Sequence, residues 1–134
     1  MNNFYTISYQ KHTCWFHCIK SLYILEYRFP EYRRAEEEKT KLAFTVITHD
    51  QLGLFEVLLH LIFRPYNAYC IYVGSNTDDV YRQNVEQLVN CYKYLYPEST
   101  IFMAQNVDEV QWGNWSLIEA DLICMNQLLD LTSQ

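Results

Sequence analysis

The stretch that decides the fold is Leu42-Ala43-Phe44-Thr45-Val46-Ile47-Thr48-His49. Its first seven residues are mostly apolar and rich in β-branched side chains, which is typical of a buried strand. A helix pattern follows, and its apolar residues share one face: Leu52, Phe55, Leu58, Leu59 and Ile62. We expect Asp50 to cap this helix and Pro65 to end it. The stretch therefore predicts a strand followed closely by a helix.

The same strand-helix pattern occurs twice more along the chain. A second strand at residues 69–73 ends at Gly74-Ser75-Asn76, and Thr77 or Asp78 opens the second helix. The inward positions predicted for that helix are Val80, Val85, Leu88, Val89 and Tyr92. A third strand at residues 100–104 precedes a last helix that starts near Ser116. The order β-α-β-α-β-α predicts an α/β fold, with a parallel sheet between two helical layers.

The last helix has a recognisable entry. Ser116 and Glu119 have the spacing of a capping box, and Trp115 before them is interpreted as a packing residue. The predicted core face of this helix consists of Ile118, Leu122, Met125 and Leu129, with Leu117, Cys124 and Leu128 beside it. Asn114-Trp115-Ser116 fits the N-glycosylation sequon, and whether Asn114 is glycosylated stays open at this helix entry.

In a parallel α/β sheet, ligands bind outside the carboxyl ends of the strands. This rule selects three segments: Ile47-Thr48-His49, Gly74-Ser75-Asn76 and the loop at residues 105–114. His49 at the first strand end is either a ligand contact or an ordinary loop histidine. Asp78-Asp79 lacks the D-x-D spacing of a metal-binding motif, so these acidic residues are interpreted as a helix start.

The composition excludes several classes of protein. A net charge of −6 over 134 residues argues against nucleic-acid binding, which needs clustered Lys and Arg. With three glycines, the chain has neither G-x-G-x-x-G nor a Walker motif. No apolar stretch is long enough to span a bilayer, and the first residues lack a signal-peptide pattern. The chain as given is therefore expected to be soluble.

The N-terminal part differs from the rest. Residues 1–41 are predicted to be a helical and charged lead-in, since residues 31–41 mix charges of both signs and residues 12–28 are aromatic. Residues 42–134 form the predicted domain. Within the lead-in, His12, Cys14, His17 and Cys18 carry zinc-binding atoms, but a second ligand pair at finger-like distance is missing, which argues against a metal site.

The strongest motif match lies in three stretches: residues 43–49, residues 69–73, and the W-G-N-W-S-L-I-E-A-D-L-I-C-M run at 112–125. They resemble the Core-2/I-branching β-1,6-N-acetylglucosaminyltransferase family, which also contains protein xylosyltransferases. Typical members read A-Y-x-x-V-V-H, then Y-C-I-H-V-D-x-K, then Y-A-S-W-S-R-V-Q-A-D-L-N-C-M. The similarity covers residues 42 to about 131, and its specific part is W-S-x-x-x-A-D-L-x-C-M.

The resemblance implies a GT-A-like (Rossmann-like) domain, of which this chain holds the nucleotide-sugar-binding half. It implies transfer of GlcNAc from UDP-GlcNAc to a galactose or GalNAc hydroxyl of an O-glycan, without a metal or other cofactor. The donor contacts carried over by position are Ile47, Thr48, His49, Gly74, Ser75, Asn76 and Trp112, the last as a stacking wall. The family pattern differs at four positions, because its Asp, Lys, Tyr and Arg are Gly74, Asn76, Trp112 and Leu117 here.

Further properties are implied by the same resemblance. The five cysteines would form the pairs Cys70–Cys124 and Cys18–Cys91, with Cys14 left over. The family's catalytic glutamate and diphosphate-binding residues come after the position of Gln134, so we expect a truncated chain that is inactive alone and contains no catalytic residue. The partners would be a nucleotide-sugar donor and a glycan or glycoprotein acceptor. The parent protein would be a type II Golgi membrane protein, lumenal in its activity, whose signal anchor is absent from this sequence.

Three alternatives stay open. The chain could be a non-catalytic α/β binding module derived from the same family, which the missing Asp, Lys and Arg favour. It could also be a xylosyltransferase-type member. A cytosolic receiver-like domain is the third hypothesis, and Gly74 argues against it because an acidic residue is expected there.

Overall fold

The computed structural model describes residues 38–132. Six elements follow one another: β1 (Ala43–Thr48), α1 (Leu52–Ile62), β2 (Ala68–Val73), α2 (Asp79–Leu95), β3 (Thr100–Met103) and α3 (Ser116–Thr132). The lead-in predicted at residues 1–41 and the cluster from His12 to Cys18 lie wholly or mainly outside these residues. The domain division at residue 42 therefore stays a prediction.

The three strands form one parallel sheet in the order β1-β2-β3. Thr45 of β1 lies opposite Cys70 of β2, and Cys70 lies opposite Phe102 of β3. Because β2 is central and buried along nearly its whole length, its sequence AYCIYV is almost continuously apolar. The predicted α/β class with a parallel sheet is confirmed.

Alternate side chains of β2 point to opposite faces of the sheet. Tyr69, Ile71 and Val73 pack in one core cluster with α1 and α2. Cys70 and Tyr72 pack in a second cluster with α3. The sheet therefore lies between a two-helix layer and a one-helix layer, which is the predicted three-layer arrangement.

The start of α1 differs from the prediction. The cap residue is Gln51, which adopts a left-handed conformation (φ 55°, ψ 60°) and makes no side-chain capping bond. Asp50 lies outside the helix, with its carboxylate 3.4 Å from His49 Nε2. The predicted inward face is right at Phe55 and Leu59, both buried, and wrong at Leu58, which is 44% exposed.

The start of α2 agrees with the helix-start interpretation of Asp78. Its carboxylate accepts a hydrogen bond from the backbone N–H of Tyr81 at 3.2 Å. Val80 is wrong as an inward residue, since it is 63% exposed. Tyr81 packs against the core in its place.

A disulfide between Cys70 and Cys124 joins β2 to α3, with 5.6 Å between the two Cα atoms. Both cysteines are fully buried, so the predicted pairing is confirmed. Cys91 is also disulfide-bonded. Its predicted partner, Cys18, lies outside the described residues, and that pairing stays a prediction.

The predicted core face of α3 is wrong. Ile118, Leu122, Met125 and Leu129 are 48–65% exposed. The reason is the disulfide: with Cys124 directed at β2, the residues four before and four after it, Ala120 and Leu128, point the same way and are buried.

The entry of α3 also differs from the prediction. Ser116 Oγ accepts a hydrogen bond from the backbone N–H of Gln111 at 3.0 Å, so the capping box with Glu119 is not how this side chain is used. The N–H groups of Ile118 and Glu119 are bonded to the carbonyl of Trp115. The Trp115 side chain is 64% exposed, which contradicts its interpretation as a packing residue.

Candidate functional site

Six of the seven predicted donor-contact residues line one pocket at the carboxyl ends of the strands. They are Ile47, Thr48, His49, Gly74, Asn76 and Trp112, and Thr77, Asp78 and Val110 complete the lining. The seventh, Ser75, is not among the lining residues. It is exposed, and its backbone N–H donates to the carbonyl of Asp108 at 3.0 Å. The parallel sheet thus brings together segments that are up to 65 residues apart in sequence, from Ile47 to Trp112.

The pocket has a volume of about 150 Å³. Typical pockets for a whole ligand are about 300–1,000 Å³. The described residues therefore enclose room for one ring system, and a nucleotide sugar would extend beyond them.

The first strand end supplies a buried hydroxyl at the pocket. Thr48 is 8% exposed, and its Oγ1 is hydrogen-bonded to the hydroxyl of Tyr81 on α2. Burial raises the pKa of Tyr81 above its ordinary value, while the hydrogen bond between Tyr81 and Thr48 acts in the opposite direction. Tyr81 is therefore a neutral hydrogen-bonding phenol at physiological pH. Nothing in its local sequence marked it as part of the site.

His49 and Trp112 meet across the mouth of the pocket. Their ring centroids are 4.9 Å apart at an interplanar angle of 51°. The indole Nε1 lies 3.1 Å from His49 Nε2 and 3.2 Å from Nδ1, so the indole N–H is directed at the edge of the imidazole. The indole is 59% exposed, which leaves a large aromatic surface for contact with a ligand.

The second strand end is supported by a cation that sequence analysis missed. Arg82 Nη1 donates to the carbonyl of Val73 at 3.1 Å, and Nη2 donates to the carbonyl of Gly74. The guanidinium thus satisfies the carbonyl of the last residue of β2 and that of the residue after it. The contact joins positions eight and nine residues apart across a loop, and no known motif predicts it.

The second and third strand-end loops are joined by a pair of side-chain hydrogen bonds. Asn76 Nδ2 donates to the carbonyl of Val110 at 3.0 Å, and the backbone N–H of Val110 donates to Asn76 Oδ1 at 3.1 Å. Below them, the Tyr72 hydroxyl accepts from the N–H of Asp108 at 2.8 Å. The loop that carries Trp112 is thereby fixed to the end of β2.

Charge at the pocket is sparse. Among the described residues that line it, His49 is the group that can become positive, and Asp78 is an acid already used as a helix cap. Within residues 38–132, no group of three or more His, Cys, Asp or Glu side chains could hold a metal ion. The metal independence implied by the resemblance stays a prediction.

A larger open groove of about 680 Å³ runs along β3 between α2 and α3. Its lining includes Glu86, Lys93, Phe102 and Asp130. It follows β3 from Ser99 to Asn106 and does not bring together the carboxyl ends of all three strands, where α/β sheets bind ligands. The smaller pocket is therefore the candidate site.

Comparison with known proteins gives the class to which this fold and site belong. Residues 42–134 match the model of the family described as "Core-2/I-Branching enzyme". This match covers more than half of the chain, and the chain belongs to that family, whose members are glycosyltransferases.

Individual relatives are similar over the same region. The chain is 31% identical over 94 residues to the rat beta-1,3-galactosyl-O-glycosyl-glycoprotein beta-1,6-N-acetylglucosaminyltransferase 3, covering 70% of this chain and 20% of the relative. It is 30% identical over 98 residues to a human beta-1,3-galactosyl-O-glycosyl-glycoprotein beta-1,6-N-acetylglucosaminyltransferase, covering 73% and 22%. A protein of that name from bovine herpesvirus 4 is 30% identical over 94 residues. The matched region is thus about a fifth of the length of these relatives.

No helix within residues 38–132 is both long enough and apolar enough to cross a membrane.

Proposed function

We propose that this chain forms the donor-binding half of a β-1,6-N-acetylglucosaminyltransferase. The donor would be UDP-GlcNAc, and the acceptor a galactose or GalNAc hydroxyl of an O-glycan. The observation that supports this most directly is the pocket itself. Three strand-end segments, chosen both by the sheet rule and by the resemblance, line one cavity in a chain of this family.

We assign Trp112 the role of an aromatic wall for the uracil or sugar ring. Its indole is oriented by the contact with His49 and keeps an exposed face. Ile47 and Val110 give apolar contact, while Thr48 and Asn76 place polar groups at the rim. Ser75 lies outside the pocket lining and is assigned no donor contact. The ring-sized volume fits a single base or sugar ring better than a diphosphate.

We assign the catalytic base to no residue of this chain. Asp78 is the carboxylate that lines the pocket, and it is engaged with the N–H of Tyr81 at the start of α2. Proton transfer from the attacking hydroxyl needs a base within hydrogen-bond reach of the acceptor. The chain alone is therefore proposed to bind the donor without turning it over.

We further propose that the parent protein acts in the Golgi lumen. The buried Cys70–Cys124 disulfide supports this, because such bridges form and persist in oxidising compartments. Microscopy of the full-length protein with a lumenal glycosylation reporter tests the placement.

Calorimetry with UDP-GlcNAc tests the proposed donor site. Aromatic stacking on a base contributes about 1–3 kcal/mol, so Trp112→Ala is expected to weaken binding by roughly 5- to 150-fold. Trp115→Ala is the matched control, because that indole is equally exposed and does not line the pocket. Binding that is absent from the wild-type protein, or that is equally strong in Trp112→Ala, would overturn the proposal. UDP-xylose titrated in parallel tests a xylosyltransferase-type donor.

A second candidate is a non-catalytic binding module derived from the same family. It is favoured by one observation, the sparse positive charge at a pocket that would have to face a diphosphate. The module predicts that uridine binds as tightly as UDP-GlcNAc, or that neither binds. A donor site predicts a clear preference for UDP-GlcNAc over uridine, because the sugar then adds contacts.

A further inference from the structure

We infer that Asn76 is a positioning residue of the pocket, and that it acts together with Gly74. Its side-chain amide clamps the loop that carries Trp112 and so sets the aromatic wall before any ligand binds. Where ligand binding is concerned, the inference rests on the proposed donor site; the clamp itself can be tested without a ligand.

The clamp is a two-point contact between one side chain and the backbone N–H and carbonyl of one residue. Asn76 donates to the carbonyl of Val110 at 3.0 Å and accepts from its N–H at 3.1 Å. An amide carries both a donor and an acceptor, so it can pair with a backbone residue as a neighbouring strand would. Asn76 and Val110 are 34 residues apart in sequence, and the contact therefore fixes the tertiary position of the third loop.

Gly74 makes the close approach possible. A Cβ at this position would lie 2.9 Å from Asn76 Oδ1 and 3.2 Å from both the backbone nitrogen and Cγ2 of Val110. The first of these distances is shorter than real Cβ atoms adopt, so a side chain at position 74 requires the Asn76 amide to shift out of its clamping position. Gly74 and Asn76 are therefore one structural unit.

The clamp acts on Trp112 through a short segment. Val110 is two residues before Trp112. The residue between them, Gln111, donates its backbone N–H to Ser116 Oγ at 3.0 Å. From there the indole reaches His49 at the first strand end. The amide of Asn76 thus joins the second loop to the third, and Trp112 joins the third to the first.

The chemistry of the clamp explains why the two positions differ together from the pattern that this chain resembles. A lysine at position 76 has donors and no acceptor, and an aspartate at position 74 would have a Cβ that requires Asn76 Oδ1 to shift. The pattern has two charged side chains at positions 74 and 76. In this chain the uncharged amide of Asn76 fixes the third loop instead. Trp112 is therefore positioned by contacts within the protein, through the Asn76 clamp and the His49 ring.

Fluorescence quenching of Trp112 tests the clamp directly. The chain has three tryptophans, so Trp15→Phe and Trp115→Phe leave Trp112 as the sole reporter. In this background we expect Asn76→Ala to raise the acrylamide quenching constant clearly but by less than about twofold, because the freed loop exposes more of an indole that is already 59% exposed. Asn76→Asp keeps the size of the side chain but opposes the Val110 carbonyl with a second acceptor, and it should show the same direction of change.

Two controls separate positioning from general stability. Asn90→Ala removes an exposed amide from α2 and should leave the quenching constant unchanged. Leu59→Ala lowers stability by removing a fully buried side chain on α1, and in the folded protein it should also leave Trp112 quenching unchanged. All measurements are made at temperatures at which circular dichroism shows each variant folded.

A double-mutant cycle tests the coupling of the two residues. Because a Cβ at position 74 displaces Asn76, Gly74→Ala should already break the clamp, and adding Asn76→Ala should change quenching little further. Additive effects would overturn the coupling, and an unchanged quenching constant in both Asn76→Ala and Asn76→Asp would overturn the inference as a whole.

A UDP titration then separates this inference from the proposed function. If the wild-type protein binds UDP, Asn76→Ala should raise Kd about fivefold or more with Trp112 still present, and an unchanged Kd would contradict the positioning role. If the wild-type protein does not bind UDP, the proposed donor site fails, while the quenching result still decides the clamp.

Discussion

Loss of the Cys70–Cys124 bridge is expected to lower the free energy of unfolding by about 4 kcal/mol. The two cysteines are 54 residues apart in sequence. For a loop of this length, the chain-entropy relation gives roughly 14 cal/mol/K of lost disorder in the unfolded chain, which is about 4 kcal/mol at 25 °C. Domains of ordinary size have about 5–15 kcal/mol of stability in total, so the change is a large fraction of the whole.

The assay is urea denaturation in a Cys91→Ala background, which removes the other disulfide-bonded cysteine from consideration. The oxidised and the reduced protein are compared first, because they have the same sequence and differ in whether the Cys70–Cys124 bond is present. With a denaturant slope of about 1–3 kcal/mol/M, the midpoint should fall by more than about 1 M. A third protein that also carries Cys70→Ala and Cys124→Ala then measures the packing of the two buried sulfurs separately.

The outcome that refutes this reasoning is a difference below about 1 kcal/mol between the oxidised and reduced proteins. Such a result would mean that the bridge does not restrict the unfolded chain as its loop length predicts. A large loss between the reduced protein and the double alanine variant would instead place the stabilisation in the packing of Cys70 and Cys124.

Three more predictions concern neighbouring parts of the fold. In chemical denaturation, Leu128→Ala should lower the free energy of unfolding by about 2–5 kcal/mol, because this side chain is 6% exposed. The adjacent Leu129→Ala should change it by less than about 0.5 kcal/mol, because that side chain is 65% exposed. Equal losses would contradict the orientation of α3. Thr45→Val should cost about 1.5–3 kcal/mol by the same measurement, because Thr45 Oγ1 donates to the carboxylate of Asp121 at 2.7 Å; an unchanged midpoint would show that this bond contributes nothing. Burial raises the pKa of Tyr69 above its ordinary value of about 10, so the folded state favours the protonated phenol. The stability that this preference contributes is complete below about pH 10 and is lost as pH rises through the folded-state pKa. Tyr69→Phe should therefore lose less stability between neutral pH and pH 11 than the wild type does, and identical alkaline profiles would contradict this.

The order of strands and helices could be predicted because local periodicity reports it directly. Residues 42–48 and 69–73 are short apolar runs between polar segments, and the intervening helix has a clear inward pair in Phe55 and Leu59. The sheet rule then selected the pocket edge, because parallel strands bring their carboxyl ends to one side. These steps need only short-range patterns.

The rotation of α3 could not be predicted from periodicity, because the helix has apolar side chains on most of its circumference. Ile118, Leu122 and Met125 form as regular a stripe as the buried residues do. The decisive signal was the disulfide: once Cys124 is joined to Cys70, residues spaced four apart from it must face the sheet. The implied bridge and the assumed core face were thus in conflict within the sequence itself.

The contacts that shape the site were beyond the reach of local sequence. The clamp joins Asn76 to Val110, which is 34 residues away in sequence. The guanidinium of Arg82 donates to the carbonyls of Val73 and Gly74. The left-handed conformation of Gln51 could not be predicted either, because glycine is the residue that usually indicates such a conformation and position 51 is a glutamine. Such features depend on where elements meet after folding, and the chain encodes them only through the whole fold.

The position of α3 has a consequence for how the fold can grow. α1 and α2 lie on one face of the sheet while the chain steps from β1 to β2 to β3, but α3 lies on the other face and packs under β1 and β2. If a parallel strand followed α3 through a right-handed crossover, it would pair with β1 rather than with β3. In that arrangement β1 changes from a border strand to an interior one. His49 would then stand at the point where the winding of the sheet reverses.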